Sequence, residues 1–342
     1  MNSTWGKNVV YSLFGESHGS LIGITIHHLP AGIVLDLDDI QLELDKRRPG
    51  KDFYSTPRSE LDKFEIVSGY FNEKTTGAPL TAMIENTSQI SKDYDKSYMR
   101  PSHADYAAYV KYDGHNDYRG GGHFSGRLTA PIVFAGAIAK QLLKKKNIEI
   151  KANIVQIGKI KSDRFNDLMQ KEIIDAKQEQ DSIGGAIEVV ANNVPVGIGE
   201  PFFNSIESVL SHLFYSIPAV KGVTFGLGTE FARKRGSEAN DELQFVDDKV
   251  MALSNNNGGV TGGISNGMPV VCQLYFKPTP SITKTQRTID IETKENVEIA
   301  TKGRHDPCIV PRALPVAEAM MAIGLLEMHM DYEWSKRWCD DD

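Results

Sequence analysis

The chain has 342 residues, of which 40% are hydrophobic and 24% are charged, enough apolar side chains for one large soluble domain or two modest ones. Its net charge of −7 argues against a general binder of nucleic acid or of membrane surfaces, because both partners attract a basic face. Any anion-binding site in this chain must therefore be local.

The cysteines and the N-terminus predict a cytoplasmic protein. Cys272, Cys308 and Cys339 lie far apart without a Cys-x-x-Cys spacing, so neither a metal site nor a disulfide framework is expected. Residues 1–10 lack an apolar signal region, and no run reaches the roughly 18 apolar residues of a membrane span. We therefore expect no metal and no membrane partner.

The first predicted elements are a strand pair and a helix. Residues 20–35 alternate in polarity and then turn at residues 30–32, which is typical of two strands joined by a turn. A helix should follow, because residues 36–39 supply acidic capping groups and an apolar face begins at Ile40. The basic pair Arg47 and Arg48 then lies at the exit of this helix.

Four more helices and two strands are predicted further along the chain. Apolar residues at helical spacing predict helices over 130–146, over about 164–180, from near 204 to before Pro218, and from after Pro315. β-Branched runs bounded by glycine or proline predict strands over 185–190 and 268–276. Because the order is mixed and lacks regular βαβ spacing, we expect an α+β fold of layered sheets and helices.

Five arginines stand beside glycine, proline or serine in predicted loops, whereas lysine predominates on the helices: Arg47, Arg48, Arg100, Arg127 and Arg304. The guanidinium fork matches the geometry of phosphate and carboxylate groups. Any one of these arginines is most simply an exposed loop charge. Five of them in such positions together favour an anion site.

Glycine is concentrated in residues 119–127 and 255–267, where backbone amides can approach a phosphate or a planar ligand closely. Neither segment has the spacing of a P-loop or of the Gly-x-Gly-x-x-Gly turn of dinucleotide-binding folds. Each segment alone is equally consistent with a flexible loop. The glycines therefore indicate candidate ligand loops without specifying a nucleotide.

Three histidines, His18, His103 and His305, stand in polar, turn-rich segments beside hydroxyl or carboxylate side chains. Histidine exchanges protons near neutral pH, although a lone histidine is more often a hydrogen-bonded structural residue. His305 belongs to residues 304–308, Arg-His-Asp-Pro-Cys, and residues 277–281, Lys-Pro-Thr-Pro-Ser, add a cation and two hydroxyls on a stiffened backbone. Such segments, spread along the chain, suggest one active site.

Together these segments closely resemble the chorismate synthase family. The resemblance covers roughly residues 8–330 and rests on motifs that fall in the family's order, at residues 15–19, 100–105, 120–122, 125–127, 277–281 and 303–308. It implies a single domain over residues 1–342. It also implies a layered β-α-β sandwich of mixed or antiparallel sheets around a helical layer, assembled as a homotetramer.

The resemblance implies a carbon-oxygen lyase that acts on a small phosphorylated enol ether. Such an enzyme converts 5-enolpyruvylshikimate 3-phosphate to chorismate and phosphate by an anti-1,4 elimination, the last common step of the shikimate pathway to aromatic amino acids. The family requires reduced FMN although the reaction has no net redox change. The cofactor carries the hard chemistry, and the protein positions and protonates it.

The resemblance also implies roles for individual residues. His18 would be the acid beside the departing phosphate, and His103 would protonate or polarise the reduced flavin near N1. Asp306, with Ser17 as a relay, would help the flavin N5 region to accept the ring proton. The implied substrate-binding residues are Arg47, Arg48, Arg100, Arg127 and Arg304. The implied FMN-binding residues are His123, Phe124, Ser125, Pro218, Ala219, Gly262, Lys277, Thr279, Ser281 and Arg304.

The sequence departs from the commoner bacterial pattern of the family near the implied anion site. Phe53 stands where many members have arginine, His123 and Phe124 replace an Arg-Ser pair, and Leu128 replaces a glutamate. Two positive charges are thus missing, or one is replaced by a titratable imidazole. We expect activity to survive, with a changed pH dependence of substrate binding.

Two other functions compete with the lyase. A flavin reductase would pass electrons from NADPH to FMN, and some members of the family combine both activities. A catalytically inactive flavin-binding or assembly protein would keep the fold alone. The joint presence of His18, His103 and Asp306 argues against this last function.

Overall fold

The computed structural model describes residues 3–48, 61–87, 94–301 and 306–336. The strands of the N-terminal half are β1 (Thr4–Trp5), β2 (Val10–Gly15), β3 (Leu21–His27), β4 (Phe64–Ser68), β5 (Tyr70–Phe71), β6 (Lys74–Thr75), β7 (Leu80–Glu85), β8 (Glu149–Ile157) and β9 (Ile160–Lys161). Those that follow are β10 (Gly185–Asn192), β11 (Val220–Phe225), β12 (Leu243–Val246), β13 (Lys249–Ala252), β14 (Val260–Thr261), β15 (Ile264–Ser265), β16 (Val270–Phe276), β17 (Gln286–Asp290) and β18 (Glu295–Ile299). The helices are α1 (Leu37–Arg47), α2 (Asp105–Lys111), α3 (Thr129–Lys144), α4 (Asp167–Gln178), α5 (Ile206–Tyr215), α6 (Gly236–Ala239) and α7 (Val310–Lys336).

Two five-stranded antiparallel sheets form the outer layers, in the orders β1-β2-β3-β7-β4 and β11-β16-β10-β8-β9. In β3 the side chains of Ile22, Ile24 and Ile26 are fully buried, because alternate residues of a strand point to the same face. Ile187 and Val189 of β10 are buried in the second sheet in the same way. Each sheet thus has an apolar face that must be covered.

A helical layer covers both of these faces. Helix α3 packs on β2, β3 and β7 of the first sheet, α7 packs on β8 and β10 of the second, and the two helices pack on each other. Their close approach depends on Gly136, where a Cβ atom would lie 2.2 Å from the Cβ of Ala319. The expected α+β fold, a β-α-β sandwich, is confirmed.

The helices predicted from apolar periodicity are present with nearby bounds. The carboxylate of Asp36 accepts a hydrogen bond from the amide of Asp39 (3.0 Å) at the start of α1, and the hydroxyl of Ser205 accepts one from the amide of Ser208 (3.1 Å) at the start of α5. Both are side-chain N-caps. The predicted strands over 185–190 and 268–276 correspond to β10 and β16, which pair with each other.

Two predictions about bounds are wrong. Residues 30–32 do not join a strand pair, because β3 pairs with the earlier strand β2 and with β7. The last helix begins at Val310, with Pro315 inside it, so the packing of this buried helix outweighs the one backbone hydrogen bond that the proline removes.

Helix α7 lies in the core of the molecule. Within the described residues, α7 is the one helix whose length and composition would allow it to cross a membrane. In its most apolar 18-residue stretch, 83% of the residues are buried inside the molecule. A core helix of a soluble protein has this combination of features.

Candidate functional site

A cavity of about 1020 Å³ brings together predicted site residues that are distant in the sequence. It lies beside α3, α5 and α7, each of which contributes side chains to its wall. The predicted site residues that line it are Arg47, Arg100, His103, His123, Phe124, Ser125, Arg127, Pro218, Ala219, Lys277, Thr279, Ser281 and Asp306.

The remaining predicted site residues fall into three groups. Ser17 and His18 are buried behind the cavity wall and do not line it. Arg48 follows α1 and pairs loosely with Asp45 (3.6 Å), and Gly262 lies in the β14–β15 turn, both away from the cavity lining. Arg304 lies outside the described residues.

A three-glycine loop places two histidines against one stretch of backbone. Gly120, Gly121 and Gly122 all have positive φ angles, of 62°, 96° and 52°. A Cβ atom on Gly120 would lie 2.4 Å from the ring of His18, and one on Gly121 would lie 3.1 Å from the ring of His103. The glycines are therefore required both for the backbone conformation and for the space that the imidazoles occupy.

His18 reaches the edge of the cavity through its neighbours. Its ring lies edge-on to that of Tyr94 at 5.2 Å between centroids, and the guanidinium of Arg100 lies 5.3 Å from the same tyrosine ring. Tyr94 and Gly120 both line the cavity. His18 thus stands directly behind two lining residues.

His103 is oriented by a buried carboxylate. Its Nδ1 lies 2.6 Å from Oδ1 of Asp105, whose other oxygen accepts from Nε of Arg100 at 2.7 Å. Burial alone would raise the pKa of Asp105, but the hydrogen bonds and charges of His103 and Arg100 outweigh it and hold that pKa well below its usual range. Because an ionised carboxylate only accepts hydrogen bonds, Nδ1 of His103 carries a proton and Nε2 remains for a ligand.

Two buried arginines share one carboxylate that sequence reasoning missed. Asp62 accepts from Nη2 of Arg47 through one oxygen and from Nη1 of Arg127 through the other. Burial would raise the pKa of Asp62, but the two arginines lower it. Only Asp62 among these three side chains does not line the cavity, so it stands behind the two guanidiniums.

Arg312 is a second missed residue. It lines the cavity, forms an ion pair with Asp306 and donates from Nε to the backbone oxygen of Arg47 at 3.1 Å. It stands in the first turn of α7, ahead of the predicted start of this helix after Pro315. Its position after Pro311 is the one local signal that resembles the five arginines that were selected.

A lysine pair and an unpartnered hydroxyl line another part of the cavity. Burial lowers the pKa of Lys277, and the neighbouring charge of Lys221 lowers it further. The Oγ1 atom of Thr279 is buried without a hydrogen-bond partner among the described residues. Two crowded ammonium groups beside an unsatisfied hydroxyl are typical of a site for an anionic group.

His123 is held by both ring nitrogens. Its Nδ1 donates to the carbonyl of Gly15 at 2.8 Å, and its Nε2 accepts from the hydroxyl of Ser3 at 2.7 Å. Because a carbonyl only accepts, this pairing fixes the tautomer. His123 therefore ties the glycine loop to the N-terminal strands in addition to lining the cavity.

The fold and the cavity define a class of protein: an α+β enzyme with oriented imidazoles and clustered cations around a large cavity. Comparison with known sequences identifies the family, because the profile of the chorismate synthase family, described as "Chorismate synthase", matches residues 9–330. The chain belongs to the chorismate synthase family, and it is a lyase.

Relatives and a solved structure agree with this assignment. The chorismate synthase of Pyrococcus abyssi is 47% identical over 349 residues, covering 94% of this chain and 96% of the relative. That of Methanobrevibacter smithii is 46% identical over 353 residues, covering 96% of each. A crystal structure titled "Crystal Structure of Chorismate Synthase" has a TM-score of 0.75 and 28% identity, and the match covers 98% of both chains.

Proposed function

We propose that the cavity binds 5-enolpyruvylshikimate 3-phosphate beside reduced FMN and eliminates phosphate and a ring proton to give chorismate. One observation supports this proposal most strongly. The oriented imidazole of His103, the Arg47–Arg127 pair and the Lys277–Lys221 pair all line a single cavity of about 1020 Å³. That volume suits a substrate and a flavin together.

The cavity lining fits FMN in its chemistry. Apolar side chains such as Ile132, Met320 and Ile323 suit a flavin ring, while Lys277 and the unpartnered hydroxyl of Thr279 suit a phosphate or ring polar atoms. When bound, reduced FMN would supply electron density to the substrate and recover it within each turnover. We propose as its contact residues His123, Phe124, Ser125, Pro218, Ala219, Lys277, Thr279 and Ser281, with Gly262 and Arg304 resting on the resemblance alone.

The imidazoles and Asp306 would move the protons. Since Nδ1 of His103 donates to Asp105, the imidazolium form of His103 would present its second N–H, at Nε2, toward the cofactor. His18 stands behind Gly120 and outside the cavity lining, and its role as the acid for the departing phosphate is proposed on the resemblance. Asp306, fixed by Arg312, would assist the removal of the ring proton at the flavin, with Ser17 as a relay, as the resemblance implies. General acids and bases of this kind contribute about 10²–10⁴-fold each.

The substrate's phosphate and carboxylate would meet the arginines. Arg47 and Arg127 line the cavity, and both donate to Asp62 on the side away from it. We add Arg312 to the proposed substrate-binding residues because it lines the same cavity. Arg100 shares its donors with Asp105, so its contribution would come from charge as much as from hydrogen bonds. Arg48 and Arg304 are proposed on the resemblance alone.

A steady-state assay tests the proposed function. Anaerobic protein with chemically reduced FMN and the substrate should form chorismate, and omission of FMN should abolish it. Adding oxidised FMN with NADPH in air separates the lyase from a bifunctional enzyme, because only the latter should then form chorismate. Failure to form chorismate with reduced FMN would contradict the proposal.

We also infer a cytoplasmic homotetramer. The two described cysteines, Cys272 and Cys308, are buried free thiols, as in a reducing compartment.

The β12–β13 hairpin exposes apolar side chains, with Leu243 70% and Phe245 79% accessible, and a lone two-stranded hairpin is weakly stable in water. A second copy of the chain that covered this hairpin would bury the exposed side chains and stabilise an assembly. Light scattering after gel filtration measures the oligomeric state. A monomer at micromolar concentration would contradict it.

A further inference from the structure

We propose that Asp62 is a positioning residue, which holds the guanidiniums of Arg47 and Arg127 in the orientation that receives an anionic group of the substrate. The inference rests on the proposed function, because it takes the substrate's anion as the ligand of this pair. It assigns a role to a carboxylate that does not line the cavity and that the sequence motifs do not include.

A fixed set of partners orients the guanidinium of Arg127, and Arg47 shares one of them, Asp62. Nη2 of Arg47 and Nη1 of Arg127 each donate to one oxygen of Asp62. Nε of Arg127 donates to Oδ1 of Asn86 at 3.0 Å, and its Nη2 donates to the carbonyl of Glu85 at 3.1 Å. The guanidinium plane of Arg127 is therefore set from three directions, one of which is Asp62.

Arg47 retains an unused donor. Its Nη1 is 3.4 Å from the hydroxyl of Thr129 and its Nη2 is engaged by Asp62, whereas its Nε is buried with no hydrogen-bond partner among the described residues. The side chain is 2% exposed and lines the cavity. A buried donor of a charged side chain without an acceptor is costly, so the ion pair with Asp62 is the main contact that holds the guanidinium of Arg47 in place.

Two like charges this deeply buried also need a counter-charge to stay together. Arg47 and Arg127 are 2% and 6% exposed, and the side chain of Asp62 is fully buried between them. Without the carboxylate the guanidiniums would repel each other at low local dielectric. With it, the three groups keep a net charge of +1, so the pair still attracts an anion while its geometry is fixed.

This role makes a prediction opposite to that of simple electrostatics. If Asp62 only reduced the positive charge of the wall, Asp62→Asn would bind the anionic substrate more tightly. If Asp62 positions the arginines, the same change should weaken substrate binding about tenfold or more. The reason is that the charge-assisted hydrogen bonds from Arg47 and Arg127 to the carboxylate are weakened, and their guanidiniums then turn away from the bound anion. The sign of the change therefore decides between the two roles.

Calorimetric titration of 5-enolpyruvylshikimate 3-phosphate into the protein with oxidised FMN measures this sign. Asp62→Asn should raise the Kd about tenfold or more. The matched control is Glu43→Gln, which removes another buried carboxylate that bridges two cations and should bind no more weakly than the wild type. Equal or tighter binding by a folded Asp62→Asn variant would overturn the inference.

Asp62→Glu gives a second, charge-matched test that also serves if Asp62→Asn does not fold. It keeps the charge of the cluster and displaces the carboxylate by one methylene, so binding should weaken through geometry alone. Unchanged Kd and KM in this variant would overturn the positioning role. Absence of substrate binding by the wild type would instead overturn the proposed function.

Discussion

Asp62 and Glu43 are both buried carboxylates that bridge two cations, yet their surroundings differ. Glu43 accepts from Lys46 at 2.6 Å and Lys140 at 3.0 Å, and Lys140 continues to Glu318 at 2.6 Å, which closes a network between α1, α3 and α7. The Asp62 cluster borders the cavity and leaves Nε of Arg47 unpartnered within the described chain. The same chemistry thus stabilises the core in one place and prepares a binding wall in the other.

The largest expected effect separates activity from stability at the cavity. His103→Ala and His18→Ala should each lower turnover about 10²–10⁴-fold, because each removes a proposed general acid. Asp105 keeps Arg100 as a partner when His103 is replaced, and His18 packs mainly against Tyr94 and Gly120, so each change should cost only about 1–2 kcal/mol of stability, little beside the loss of turnover. Turnover losses below about tenfold in steady-state assays would remove the histidines from the proton-transfer roles.

The Glu43 network should show the reverse behaviour. Glu43→Gln leaves Lys140 with Glu318 alone and should cost about 3 kcal/mol of unfolding free energy, near the low end for a broken buried pair because Lys46 is half-exposed. Urea denaturation measures this cost, and turnover per folded molecule should stay at the wild-type value. A loss of turnover without a loss of stability would break the comparison.

The glycine loop offers a smaller and more local test. Gly120→Ala should destabilise the protein by about 1–2 kcal/mol, because alanine is strained at a positive φ, and should reduce turnover because the new Cβ would meet the ring of His18 at 2.4 Å. Gly236→Ala is the control, since Gly236 lies outside the cavity lining and a Cβ there meets nothing closer than 3.9 Å. Equal turnover of the two variants would show that Gly120 does not place His18.

The smallest effect is a dependence of stability on pH. Burial raises the pKa of Glu43, but Lys140 and Lys46 outweigh it and leave the folded-state pKa below the ordinary value of 4.5. The stability that this carboxylate contributes is therefore complete above about pH 4.5 and is lost as the pH falls through the folded-state pKa. Urea midpoints of the wild type and Glu43→Gln should converge in acid, and a constant difference down to pH 3 would contradict the assignment.

Local patterns in the sequence predicted the helices and the motif residues, because periodicity and capping act within one segment. The prediction failed where a segment alone does not reveal its partner: β3 pairs with β2 just before it and with the distant β7, and with no strand that follows residues 30–32 directly. Asp62 was missed for the same reason, since its partners Arg47 and Arg127 meet it only in the folded chain. Arg312, beside Pro311 in what was predicted to be a loop, matched the criterion for the anion-site arginines, but only its ion pair with Asp306 in the folded chain shows that it belongs to the site.

The most direct test of the central claim is an anaerobic single turnover with reduced FMN and excess enzyme, in which chorismate, phosphate and flavin absorbance are followed together. The proposed site predicts equal amounts of chorismate and phosphate with the flavin returned to its reduced state, and a much slower reaction for His103→Ala. Phosphate release without chorismate, or net oxidation of the flavin in step with product, would contradict a lyase that uses this cavity.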